Sequence, residues 1–105
     1  MNIKETTVIE GGVKYTIYTY STGSKWCDVN GKLHRKYGPA IERTDGSKEW
    51  WLNNKVHRIG GPAVERADGC KGWYLNNKSY TKPTYYKELF KQGLITEEEY
   101  FLELV

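Results

Sequence analysis

Gly31-Lys32-Leu33-His34-Arg35-Lys36-Tyr37-Gly38-Pro39-Ala40-Ile41-Glu42-Arg43-Thr44-Asp45-Gly46 is followed, at a constant offset of 23 residues, by Asn54-Lys55-Val56-His57-Arg58-Ile59-Gly60-Gly61-Pro62-Ala63-Val64-Glu65-Arg66-Ala67-Asp68-Gly69. The two align without a gap. A fixed period of this size marks a repeat architecture, in which a unit too small to bury its own apolar face stacks on its neighbour.

Inside a unit, residues 48–52 (Lys-Glu-Trp-Trp-Leu) read as a strand. Asn53-Asn54 follows as a two-residue hairpin turn, since Asn tolerates positive φ. Residues 55–58 run back, Gly60-Gly61-Pro62 interrupts the ladder because Pro has no N–H, residues 63–66 extend again, and Asp68-Gly69 turns into the next unit. The preceding unit repeats this with Lys25–Val29, Asn30-Gly31, residues 32–35, Gly38-Pro39, residues 40–43 and Asp45-Gly46. A third unit starts at Lys71–Leu75, turns at Asn76-Asn77 and stops after Tyr80. Alternation assigns Cys27, Val29, Trp50, Leu52, Trp73 and Leu75 to a core face. Trp51 and Tyr74 then lean outward, with Asp28 at the equivalent earlier place and Trp26 two residues before it.

The flanks are atypical, as the ends of a solenoid must be. Val13–Tyr20 alternates and is β-branched and aromatic, and Gly11-Gly12 suits a hairpin with residues 6–10. After Pro83, Tyr86, Leu89, Phe90 and Leu94 recur at helical spacing. Thr84 is the expected N-cap, Gly93 the stop, and Thr96-Glu97-Glu98-Glu99 a capping box for a second helix. The expected fold is mainly β (α+β): antiparallel stacked β-hairpin repeats of 23 residues, capped by two short C-terminal helices. Residues 1–105 form one domain, with capping strands over 1–21, the repeat sheet over 22–81 and a helical cap over 82–105.

A composition of 28% charged and 38% hydrophobic residues excludes disorder. The net charge of +3 divides into +6 over residues 1–83 and −3 over residues 84–105, a basic body with an acidic tail. The first twenty residues hold Lys4, Glu5, Glu10 and Lys14 and no apolar run, so the reading is a cytoplasmic protein with Cys27 and Cys70 reduced.

The phrase Trp-aromatic-x-Asn-Asn/Gly-Lys-x-His-Arg-x-x-Gly-Pro-Ala-x-x-x-x-Asp-Gly resembles a divergent branch of the MORN repeats. Within that branch it is similar to the His-Arg/Gly-Pro-Ala repeats of small bacteriophage and bacterial proteins. The resemblance covers roughly residues 20–80. It implies stacked hairpins of about 23 residues that serve as scaffolds, self-association surfaces and occasionally lipid contacts. It also implies a viral setting. The insertion of His-Arg and Gly-Pro-Ala departs from the usual Tyr- and Gly-based pattern and weakens any transfer of lipid binding.

Catalytic and metal chemistry finds little footing. His34 and His57, at equivalent places in successive hairpins, are expected about 10 Å apart, too far to share one ion. A repeated structural contact is the simpler role for both. No cofactor or metal site is expected, and the chain reads as non-enzymatic. Equivalent cations form the informative pattern: Lys25/Lys48/Lys71, Lys32/Lys55/Lys78, Arg35/Arg58 and Arg43/Arg66. Rows of cations beside exposed rings suit a partner surface, because Trp, Tyr and Arg dominate binding hot spots. The candidate partner-binding residues are Trp26, Trp51, Tyr74, Lys32, Lys55, Arg35 and Arg58. The expected partner is a host protein that the chain inhibits or redirects, in keeping with an anti-defence role. Nucleic acid held by cation rows and exposed rings is the alternative. An anionic membrane ranks last, and self-association is compatible with the pattern.

Overall fold

The hairpin turns set the architecture. In the computed structural model, which describes residues 3–104, all five non-glycine residues with positive φ among those described are asparagines in these turns. Asn30-Gly31, Asn53-Asn54 and Asn76-Asn77 have φ of 52° and 78°, 49° and 64°, and 49° and 70°. Two consecutive positive values are the mirror-image turn whose twist matches the strands it joins.

The elements are β1 (Ile3–Glu10), β2 (Val13–Tyr20), β3 (Lys25–Val29), β4 (Lys32–Leu33), β5 (Ile41–Glu42), β6 (Lys48–Glu49), β7 (Trp51–Leu52), β8 (Lys55–Val56), β9 (Val64–Glu65), β10 (Lys71–Leu75), β11 (Lys78–Tyr80), α1 (Lys82–Lys91) and α2 (Glu97–Leu104). The main nine-stranded sheet runs β1-β2-β3-β5-β6-β9-β10-β11, with β4 on β3, and every pairing is antiparallel. The β7–β8 hairpin forms a two-stranded sheet of its own. Its register matches the other two: Val29↔Lys32, Leu52↔Lys55 and Leu75↔Lys78 close the three turns.

Successive hairpins are joined by one set of hydrogen bonds, made twice. Asn54 Oδ1 accepts from Leu33 N–H at 2.7 Å, and Asn54 N–H donates to the Leu33 carbonyl at 2.9 Å. One period later, Asn77 Oδ1 accepts from Val56 N–H at 2.8 Å, and Asn77 N–H donates to the Val56 carbonyl at 2.9 Å. His34 Nδ1 accepts from Asn53 N–H and His57 Nδ1 from Asn76 N–H, both at 3.0 Å. Arg35 and Arg58 N–H donate to the carbonyls of Trp51 and Tyr74. Gly31 needs no such side chain, because its hairpin is the first of the stack; Asn54 and Asn77 each have a hairpin behind them. Both histidines therefore act as the repeated structural contact, as acceptors for a turn amide.

Two caps close the stack. Tyr15 from β2 packs with Cys27 and Ala40, joined by Ile17, Val29 and Trp51. At the other end, Leu75 packs with Tyr85, Tyr86 and Leu89 of α1, joined by Trp73, Tyr80, Ile95 and Tyr100. Each cap sends a tyrosine hydroxyl into the loop that follows an Arg: Tyr15 accepts from Lys36 N–H, and Tyr85 accepts from Gly60 and Gly61 N–H while donating to the Arg58 carbonyl. The N-cap of α1 is Thr81, not Thr84. Thr84 sits at N3 and completes a reciprocal box with Thr81, with Pro83 in the first turn, where its missing N–H costs nothing. Gly93, at φ 73°, ends α1 as expected, with Gly93 N–H bonding the Phe90 carbonyl and Leu94 N–H the Leu89 carbonyl. The Thr96/Glu99 box opens α2.

The assignment of faces changes in the middle unit. Cys27 and Leu75 are buried as expected, and Val29 and Trp73 are half-buried against the two clusters, whereas Trp50 and Leu52 are half-buried without joining either. The β2 cap packs on the first unit and α1 on the third; each touches the second at its margin, through Trp51 and through the Arg58–Gly61 loop, but Trp50 and Leu52 belong to neither cluster. Trp51, expected to lean outward, instead packs on the Tyr15–Cys27–Ala40 cluster and gives its indole N–H to Glu49 Oε1 at 3.1 Å.

Candidate interaction surface

Beside Trp50 and Leu52, which neither cap covers, lies a groove of about 640 Å³. Its floor is Trp50 and Leu52. One wall is the loop carrying Arg35, Tyr37 and Pro39, and the other carries His57, Arg58 and Ile59. Two exposed apolar side chains stand on its rims, Tyr37 at 61% and Ile59 at 50% accessibility. These two occupy the variable stretch inside the repeat, where Lys36-Tyr37 in one unit stands against Ile59-Gly60 in the next.

Both arginines are held in place. Arg35 makes a two-pronged pair with Glu10, Nε to Oε1 at 3.1 Å and Nη2 to Oε2 at 2.9 Å, and Glu42 lies 3.9 Å away. This contact holds the Glu10 carboxyl below, and the Arg35 guanidinium above, its ordinary pKa. Arg58 Nη1 donates to the Pro62 carbonyl at 3.0 Å and to Glu65 Oε2 at 3.2 Å, and its guanidinium lies 3.8 Å from the centre of the Trp50 ring. The difference follows from one exchange in the repeat. The first unit has Cys27 where the second has Trp50, so Arg35 has no ring beneath it and turns to the cap carboxylate instead. Planar, anchored guanidinium groups lose little freedom on binding.

The remaining predicted site residues are dispersed. Trp26 lies edge-on to Tyr20 at 6.1 Å, in a second, smaller groove of about 260 Å³ with Tyr18, Asp28 and Leu33. Tyr74 lies over Gly72, where a Cβ would come within 2.8 Å of the ring, so glycine there makes room for it. Lys32 and Lys55 are exposed beside the hairpin turns, with Lys78 continuing their row. The row Lys25, Lys48, Lys71 is broken up by carboxylates. The register runs Lys25↔Glu42↔Lys48↔Glu65↔Lys71 across the sheet, a ladder of alternating charge. Opposite charges facing across strands contribute roughly 0.2–1 kcal/mol per pair to the sheet.

Of the seven predicted residues, only Arg35 and Arg58 meet in the main groove. Trp50, Tyr37, Ile59 and His57 were not among them. The break in the repeat at Tyr37 and Ile59 was the available signal. Burial pushes the Cys27 thiol up to about 11, which keeps it protonated and a poor nucleophile. Among the described residues, no helix is long and apolar enough to cross a membrane. No family model, curated protein or solved structure matches this chain.

Proposed function

We propose that the chain is a non-enzymatic binding module that seats a protein partner in the groove over Trp50. The observation that carries this reading is the conjunction of exposed apolar rims, Tyr37 and Ile59, with a floor of Trp50 and two pre-positioned arginines. Rings and guanidinium groups at the centre of a concavity are the composition of binding hot spots. The partner surface that fits offers apolar side chains for the floor and rims and neutral hydrogen-bond acceptors for the guanidinium N–H groups not already bonded to Glu10, Glu65 or the Pro62 carbonyl. In the setting that the resemblance to phage and bacterial repeats implies, the partner is a host protein that is inhibited or redirected when its surface is occupied.

The test is affinity capture from nuclease-treated host lysate with the wild-type chain and with Tyr37→Ala/Ile59→Ala, which alters exposed side chains. A discrete protein retained by the wild type and lost by the variant, at unchanged melting temperature, supports the groove. Equal retention by both excludes it. Nucleic acid is the second reading, favoured by the row Lys32, Lys55, Lys78, none of which joins an ion pair found among the described residues. Three phosphate contacts on a single strand would give a log–log salt slope of about −2. Oligonucleotide affinity that is flat in salt rejects that reading.

A further inference from the structure

β1 ends one side of the main sheet, and among the described residues no strand pairs with its outer side. Its eight residues run in unbroken register with β2, without a proline or a bulge. Natural edge strands are protected by such interruptions or by charged side chains, and of these β1 carries only the charges, Lys4, Glu5 and Glu10. The turn decides which backbone groups point outward. Gly11-Gly12 is a two-residue turn with φ of 55° and 79°, so its closing pair Glu10–Val13 exchanges hydrogen bonds inside the hairpin, and the pairs alternate from there. Ile3, Glu5, Thr7 and Ile9 therefore direct N–H and C=O away from β2. The same alternation appears at Asn30-Gly31: one step from the closing pair, Leu33 turns both groups outward, to Asn54.

We propose that β1 pairs antiparallel with β1 of a second copy of this chain, about a two-fold axis at Thr6. Only registers that bring the outward-directed residues opposite one another can form hydrogen bonds. The register centred on Thr6 sets Ile3 opposite Ile9 of the second copy and Glu5 opposite Thr7, with about eight backbone hydrogen bonds. It closes Ile3 and Ile9, 47% and 72% accessible, on each other at both ends. Shifting the axis to Glu5 opposes that carboxylate to its own copy and leaves Ile9 with no described residue opposite it. Shifting it to Thr7 sets Ile9 against Glu5 and leaves Ile3 unmatched. The strand is thus complementary to itself in one register, which selects a second copy over a foreign strand. Ile3 and Glu5 stand opposite Tyr20 and Tyr18, on the face that carries Trp26, so pairing makes this aromatic face continuous between copies. A single strand pair buries less than the roughly 1,200–2,000 Å² of a standard interface, so the dimer is weak and depends on concentration. The proposal is independent of the groove over Trp50.

Sedimentation velocity from micromolar to millimolar protein tests it, with Thr7→Pro and Ile9→Lys beside the wild type. Proline at Thr7 removes an outward N–H and leaves the ladder to β2 intact; Ile9→Lys alters only an exposed side chain and decides the case should the proline unfold the hairpin. The wild type moves from monomer to dimer across the range, and the folded variants remain monomeric at the wild-type dilute melting temperature. A wild type that stays monomeric at millimolar concentration, or a dimer that persists in the folded variants, overturns the proposal.

Discussion

Tyr85→Phe connects the helical cap to the groove. The ring is fully buried and contacts Trp73 at 5.1 Å and Tyr86 at 5.0 Å between centroids, and phenylalanine keeps those contacts. Only the hydroxyl is lost, and with it the partner of Gly60 N–H at 3.0 Å, of Gly61 N–H at 3.4 Å and of the Arg58 carbonyl. Gly60 is exposed and recovers a bond from water, whereas Gly61 is buried and Arg58 half-buried. A buried polar group left without a partner costs about 1–3 kcal/mol, so the expected loss is about 2 kcal/mol. For a domain of this size that is a fall in melting temperature of about 8–16 °C. The loop between Arg58 and Pro62 also opens locally, so amide exchange at Gly60 and Gly61 accelerates by about 30-fold. Thermal unfolding and native-state exchange read both effects. Tyr15→Phe is the control. Its hydroxyl accepts only from Lys36 N–H, at 3.3 Å on an exposed loop residue, so the loss is about 0.5–1 kcal/mol. Equal stability of Tyr85→Phe and wild type, or unchanged protection at Gly61, refutes the idea that the cap hydroxyl holds this wall of the groove.

Asn54→Gly and Asn77→Gly keep the positive φ of their turns and delete only the acceptor for Leu33 and Val56 N–H; each is expected to lower stability by about 1 kcal/mol in urea unfolding, additively in the double variant. Burial holds folded His57 below its ordinary 6.5, so the unfolded chain binds the proton more readily. The stability this contributes is complete above about pH 6.5 and is lost as pH falls from there through the lower folded value, and His57→Asn, which keeps an acceptor but cannot titrate, flattens the change in urea midpoint between pH 7.5 and pH 5. Native protein exposes one thiol, Cys70, whose pKa the neighbouring Asp68 carboxylate raises, so it labels slowly but accessibly, while Cys27 is buried; a thiol-labelling count of two before unfolding contradicts the packing of the first unit.

The backbone plan was legible because it rests on local chemistry. The Asn-Gly and Asn-Asn turns, the Asp-Gly turns and the Gly-Pro breaks each fix one bend, and a constant period repeats them. Asp45 and Asp68 illustrate this, each accepting from the amide two residues on, at 2.8 and 2.9 Å. The faces were legible only where a cap confirmed the alternation, as at Cys27 and Leu75. Trp50 and Trp51 defeated it although Trp50 makes the same backbone bonds as Cys27: Trp50 lies under the Arg58 guanidinium instead of under a cap, and Trp51 reaches the cluster of the preceding unit. Where each cap stops is a tertiary fact, and so therefore is the groove. The lysine row was visible as spacing, but the carboxylates that interleave it belong to return strands whose register is set in three dimensions. Arg35 and Arg58 were chosen as partner-binding cations, and the structure pairs both with carboxylates, Glu10 and Glu65.

The central claim is that hairpin stacks on hairpin through one repeated set of bonds. Scalar couplings across hydrogen bonds, measured by NMR, test it most directly. Couplings from the Leu33 carbonyl to Asn54 N and from the Val56 carbonyl to Asn77 N, both present, are the predicted result. Their absence at both positions, in a sample whose β2–β3 ladder still gives such couplings, would contradict it.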